Sequence, residues 1–190
     1  MQLRANRIGE CGANIRHISP LMVKVGIRNE MNGAISLKSN YTLPMFVILA
    51  LVLLILATYW QVQNYLFIDY DDQLYVTENY LIQSEISPKN ISRIFKDVHT
   101  GNWHPLTMLS HTLDWYLYGH NAGGHHWSNV IFHIFNTLLL FLLLKMMSGA
   151  LWRSAFVAGL FAIHPINVES VAWIAERKNV LSTFFWFLTM

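Results

Sequence analysis

Tyr41 to Trp60 runs about twenty residues without a charge, and that run decides what the chain can fold into. As a helix it is about 30 Å long at ~1.5 Å per residue, the thickness of the hydrocarbon core of a bilayer. Pro44 falls in the first turn, where its missing N–H costs nothing. Tyr41, Tyr59 and Trp60 suit the two interfaces. Arg4, Arg7, Arg16, Lys24, Arg28 and Lys38 precede the run, and acidic residues follow it. The positive-inside rule then puts the N-terminus in the cytoplasm and the following loop outside.

Composition agrees with a membrane chain. Of 190 residues, 54% are hydrophobic and only 13% charged. The net charge of +2 is scattered among segments and forms no basic stripe, which argues against a nucleic-acid partner. Cys11 is the sole cysteine, so an intrachain disulfide and a cysteine-type zinc site are both excluded. Residues 1–40 are polar and weakly patterned, with no apolar stretch of the signal-peptide kind. They read either as a disordered cytosolic tail or as the product of an upstream start codon, Met31 giving a compact lead into the span.

Four spans are expected, at about 41–60, 127–147, 151–166 and 180–190, with outer loops over 61–126 and 164–179. The last covers only about 16 Å at ~1.5 Å per residue, so the chain reads as a fragment of a longer protein or a prematurely ended frame. In the first loop, Ser87-Pro88 marks a helix start, and Ile91, Ile94, Phe95 and Val98 share a face. Leu106, Leu109, Leu113 and Leu117 form one stripe of a second helix that stops at Gly119. Both are expected to lie in the membrane interface. Gly119 to His126 reads as a tight turn. In the second span, His133 and Asn136 share one face and should point into the bundle. His164-Pro165 ends the third apolar helix, and a short helix is expected to resume over Val168 to Arg177. The fold class is therefore all-α, a polytopic membrane helix bundle.

Two clusters carry chemistry. Asp69, Asp71 and Asp72 crowd four positions just beyond the first span. Crowded carboxylates call for a cation, a shared proton or a reacting partner, unless they are simply a wet acidic loop. Asp71 and Asp72 diverge in any regular backbone, so only one should reach a reacting group. Asp114 reads as a solvated or hydrogen-bonded side chain. The second cluster runs from His164 to Asn179, with Glu169, Trp173 and Glu176 on one helical face. Arg177 and Lys178 lie outside, against the positive-inside trend. They either meet an anion such as a lipid phosphate or pair with Glu169 or Glu176. His104 and His111 share a face, and His120, His125 and His126 crowd one turn. No HxxxH or HExxH spacing occurs, so interfacial or phosphate-binding histidines are favoured over zinc.

Asn102-Trp103-His104-Pro105-Leu106-Thr107, Leu109-Ser110-His111, Leu113-Asp114, Gly124-His125-His126, Asn129, His133, and His164-Pro165 through Glu169-Ser170-Val171-Ala172-Trp173 to Glu176-Arg177-Lys178-Asn179 together resemble one group. It is the bacterial relatives of the transmembrane and tetratricopeptide-repeat-containing O-mannosyltransferases, within the GT-C superfamily. The resemblance covers about Leu43 to Met190. It implies an N-terminal part of a GT-C-type fold in a bacterial inner membrane, followed in the family by further spans and repeats. It implies transfer of a sugar, mannose by the family, from a polyprenyl-phosphate donor to a protein hydroxyl. Asp71 and Asp72 match the acidic pair of the first outer loop, and His164, Pro165 and Glu169 match an element of the second. On that basis Asp71 is expected as general base, Asp72 as a second acid or holder of a possible divalent metal, and Glu169 as orienting group. His125, His126, Arg177 and Lys178 are expected around the donor phosphate, with His104, His111 and His164 structural or in contact with substrate. The alternative is a non-catalytic membrane scaffold or assembly module, or an inactive truncated remnant.

Overall fold

The uncharged run forms the helix it dictates. The computed structural model describes residues 41–96, 98 and 101–190, and the tail expected over 1–40 lies outside them. Helix α1, Tyr41–Asn64, ends in a 3-10 turn over Trp60–Asn64. A π-helical turn, Gln73–Thr77, and helices α2 (Tyr80–Gln83), α3 (Pro88–Ile94) and α4 (Pro105–Tyr118) follow. Then come α5 (Ala122–Ser148), α6 (Leu151–Ile163), α7 (Ile166–Ala172) and α8 (Arg177–Thr189). The described residues are helical or irregular, as an all-α bundle requires. Among the described residues two helices, α1 and α5, are long and apolar enough to cross a bilayer, and α6 with α7 makes a third candidate bent by 62°. The chain is a multi-pass membrane protein.

Residues Pro44–Met190 form one unit, with three apolar clusters along it. Val47, Leu51, Phe141 and Ala158 join α1, α5 and α6. Ile55, Tyr59, Val62, Val130, Ala162, Val171 and Val180 form the next cluster, which adds α7 and α8. Tyr75, Val76, Leu81, Ile82, Ile94, Met108, Ala122, Ile174 and Ala175 make the core of the loop layer. Polar ties supplement the packing inside the bundle. His133 contacts the Ala162 carbonyl at 3.0 Å, and Asn136 donates to the Val180 carbonyl at 2.8 Å. Both point inward, as their spacing requires, because a polar group facing lipid would lack a partner.

Several expectations are corrected. The second span starts five residues before 127, and Gly123 and Gly124 lie inside it, so the stretch to His126 is not a turn. These glycines allow close packing. A Cβ on Gly123 would stand 2.5 Å from the Gln63 carbonyl oxygen, and one on Gly124 2.3 Å from the Tyr118 ring. Gly119 does stop α4, at φ +55°. Ser87 caps α3 by accepting from the Asn90 N–H, with Pro88 in the first turn. The buried side of α3 is Asn90 and Ile94, whereas Phe95 and Val98 are exposed. In α4 three of the four stripe leucines are turned outward, Leu106, Leu113 and Leu117 being 48%, 51% and 57% exposed, while Leu109 packs against the loop core. Thr107, Met108, His111, Thr112 and Asp114 face in.

The helix expected over Val168 to Arg177 breaks at 173–176, so Glu169, Trp173 and Glu176 do not share a face. Tertiary hydrogen bonds occupy the backbone there. Asn129 donates to the Trp173 carbonyl at 2.8 Å, and Asp72 accepts from the Ala175 N–H at 2.9 Å. Of the span expected at 180–190, the structure shows α8, which starts at Arg177 and is not among the helices long enough to cross.

Gly123→Ala should push α5 away from Gln63 and lower stability by about 1–3 kcal/mol. Gly159→Ala meets only Leu51 Cδ2 at 3.9 Å and should be near neutral. Thermal unfolding of the two variants in detergent separates these outcomes.

Candidate functional site

The loop layer is built on one buried ion pair. Arg177, the first residue of α8, is 0% exposed. Its Nη2 lies 2.5 Å from Asp114 Oδ2 on the inward face of α4. The same nitrogen donates to the His125 carbonyl at 2.8 Å, and Nε donates to Asn129 Oδ1 at 2.7 Å. Ser128 donates to Asp114 Oδ1 at 2.7 Å. Arg177 thereby binds α4, α5 and α8 into one body. Neither charge is stable in this environment without the other. This is not the phosphate-facing position expected of Arg177, nor a pairing with Glu169 or Glu176.

His111 and His125 complete the cluster. Both are fully buried. His125 Nε2 contacts the Gly119 carbonyl at 2.9 Å, and its Nδ1 stands 3.7 Å from Asp114. Burial holds the His111 pKa well below the usual 6.5, and the nearby Arg177 and His125 push it the same way. His111 is therefore neutral at physiological pH and edge-on to Tyr75 at 6.4 Å. Ligand atoms of His111, Asp114 and His125 lie within 4.8 Å of one another, a spacing that a metal ion could use. The donor set fits a divalent ion poorly. Arg177 already neutralises the one carboxylate, so the ion would bring uncompensated positive charge into a buried site.

Asp72 makes the second tie. It is 0% exposed and accepts from the Ile68 N–H and the Ala175 N–H, both at 2.9 Å. It thus clamps the loop after α1 to the break between α7 and α8. Burial raises its pKa, and the two N–H bonds pull it partly back. With each carboxylate oxygen engaged by backbone, Asp72 has little left for the metal-holding role expected of it. Asp71 beside it is half-buried, while Asp69 is exposed and accepts from Gln73.

The remaining residues fall in two clefts. Lys178 donates to Glu176 Oε1 at 2.6 Å and sits 5.5 Å from the centre of the Tyr75 ring. Asp71 is close enough to act on it electrostatically. Lys178 and His104 line a mostly apolar groove of about 530 Å³ with Phe95, Trp103, Leu181 and Phe185. Glu169 and His126 line another cleft, of about 330 Å³, with Tyr65, Ile68 and Trp173. Among the described residues no hydrogen bond joins Glu169 to Asp71 or Asp72. His164 is exposed and accepts from the Ile166 N–H at 3.2 Å, a local turn contact.

The sequence reading missed the Asp114–Arg177 partnership and the part of Ser128. A signal was present: a lone acid on the non-leucine face of α4, and a base that the charge pattern puts against the positive-inside trend.

Arg177→Gln should cost about 3–5 kcal/mol by leaving Asp114 buried and charged. The Asp114→Asn/Arg177→Gln double variant should lose less than the sum of the singles, in a double-mutant cycle by detergent unfolding. For Asp72, a raised folded pKa gives a stability contribution that is fully present below the ordinary 3.8 and lost as pH rises through the folded midpoint. A carboxyl-carbon NMR titration should give a midpoint above 3.8, and Asp72→Asn should flatten that part of the stability profile.

No family model matches the chain, and no solved structure gives a significant match. The chain is 32% identical over 88 residues to the protein O-mannosyl-transferase Tmtc1 of Drosophila melanogaster, covering 46% of this chain and 10% of the relative. It is 36% identical over 97 residues to human TMTC2, covering 48% of this chain and 11% of that protein. Human TMTC4 is 25% identical over 141 residues, covering 63% of this chain and 19% of that protein. The matched segment spans only about a tenth of the length of Tmtc1 and TMTC2. Over about half its own length, the chain is related in sequence to the protein O-mannosyl-transferases.

Proposed function

We propose that the chain contributes the donor-facing part of a GT-C-type membrane glycosyltransferase, which moves a sugar from a polyprenyl-phosphate donor to a protein hydroxyl. The names of the relatives favour mannose as the sugar. The single observation that carries the reading is the neighbourhood of Lys178. An apolar groove of about 530 Å³ carries one cation on its wall, Lys178, held by Glu176 at 2.6 Å, with the half-buried Asp71 close enough to add to its field. A polyprenyl phosphate has the same division, an apolar tail and an anionic head.

The chemistry follows from those groups. An acceptor hydroxyl has a pKa far above 7, so Asp71 takes its proton as the oxygen attacks the anomeric carbon. The bond from that carbon to the phosphate oxygen breaks, and the phosphate keeps the electron pair. Lys178, with His104 on the same groove, faces the charge that develops there. Asp72 holds the loop that carries Asp71. Glu169 and His126 line the neighbouring cleft, where the acceptor approaches. In this reading the membrane is a bacterial inner membrane with the N-terminus in the cytoplasm. The basic residues before α1 and the acidic ones after it support that sidedness.

The test is transfer of radiolabelled sugar from a lipid-linked donor, in membranes expressing the whole product of the gene. Asp71→Asn should lower turnover about 100-fold or more. Lys178→Gln should raise the KM for the donor. Transfer at the wild-type rate by Asp71→Asn, Asp72→Asn and Lys178→Gln alike would overturn the reading in favour of a non-catalytic membrane module.

A further inference from the structure

The stretch between α1 and α5 is rich in acid, and its only bases are Lys89, Arg93 and Lys96. Their spacing, i, i+4 and i+7, puts them on one face of α3 and the turn that continues it. That turn is held by the Phe95 N–H to the Ile91 carbonyl at 3.2 Å and the Lys96 N–H to the Arg93 carbonyl at 2.9 Å. The other side of α3 is anchored, so the basic face cannot roll inward. Ile94 is buried in the loop core, and Asn90 donates to the Leu81 carbonyl at 2.9 Å. All three bases are exposed, and among the described residues none has a carboxylate within ion-pair distance.

Three like charges on one side of a short helix repel one another, and the described residues place no carboxylate in ion-pair contact with them. Arg93 and Lys96 open onto a cleft of about 460 Å³ beside Tyr80 and Leu81, with as much polar as apolar wall. Exposed apolar side chains, Phe95, Val98 and Trp103, flank the basic face. The Trp103 indole N–H donates to the Phe95 carbonyl at 2.9 Å, which fixes the ring beside the helix end. A basic row bordered by aromatic and aliphatic groups matches the boundary between headgroups and acyl chains.

We infer that the Lys89–Arg93–Lys96 face of α3 is a binding site for the headgroup of an anionic phospholipid in the bilayer that α1 and α5 cross. The lipid phosphate lies between Arg93 and Lys96, Lys89 extends the positive field, and Phe95 and Val98 meet the first carbons of the acyl chains. The contact fixes the depth of the loop layer against the membrane. Its three bases lie outside the Asp71–Lys178 neighbourhood, so neutralising them tests it separately from the sugar-transfer reading, although Phe95 and Trp103 also line the Lys178 groove.

The test uses the full chain in lipid bilayers, with Cys11→Ser and Ser92→Cys giving one exposed thiol beside the basic face for a bimane label. Brominated phosphatidylglycerol and brominated phosphatidylcholine are compared as quenchers at equal mole fraction. The expected result is quenching about two- to fivefold more efficient with the anionic lipid at low salt, fading as salt screens the field. Lys89→Gln/Arg93→Gln/Lys96→Gln should abolish the preference, while Lys89→Arg/Lys96→Arg should keep it. Equal quenching by the two lipids, or a preference that survives the triple neutral variant, would overturn the site. A bimane signal that responds to soluble polyglutamate but not to the anionic lipid would assign the face to an acidic protein and overturn it as well.

Discussion

The pairing of Arg177 with Asp114 is the constraint on which the loop layer rests. A guanidinium with no solvent contact must meet a carboxylate, and here α4 supplies it while α5 supplies acceptors for Nε and Nη2. The requirement sets where α8 begins and how it leans on its neighbours. Asp72 works by the same logic on a smaller scale, binding the backbone N–H of nearby Ile68 and that of Ala175, 103 residues further along the chain. Both acids are spent on architecture. Of the described carboxylates in the first loop, Asp71 is the one left half-buried.

Much of this architecture was legible in the chain, because local rules and lipid act on neighbouring residues. An uncharged twenty-residue run has one solution in a membrane. Ser87-Pro88 opens a helix and Gly119 closes one through capping and φ alone. His133 and Asn136 had to turn inward, since lipid offers them nothing. The failures came where partners are distant in sequence. The break at 173–176 follows from hydrogen bonds to Asn129 and Asp72, which no window around Trp173 contains. Gly123 and Gly124 resemble turn residues until Gln63 and Tyr118 are seen against them. Arg177 and Lys178 are adjacent and chemically alike, yet one is sealed inside and the other lines a groove. Only the location of Asp114 tells them apart.

The division between Arg177 and Lys178 suits the two side chains. Arginine keeps its charge when buried and has a planar fork that can satisfy several acceptors at once. Lysine, at the end of a flexible stem, can stay paired with Glu176 while its charge reaches a groove. A turn of helix that begins with one and continues with the other has a fixed root and an adaptable tip.

The outward leucines of α4 carry one more consequence. A helix that hides threonine, histidine and aspartate while presenting Leu106, Leu113 and Leu117 is patterned inside out for water. Cut free of its spans, the segment from α2 to α4 would present those leucines to water. Expressed alone it would clump through those leucines, and structural work on it needs lipid or amphiphile from the first step of purification.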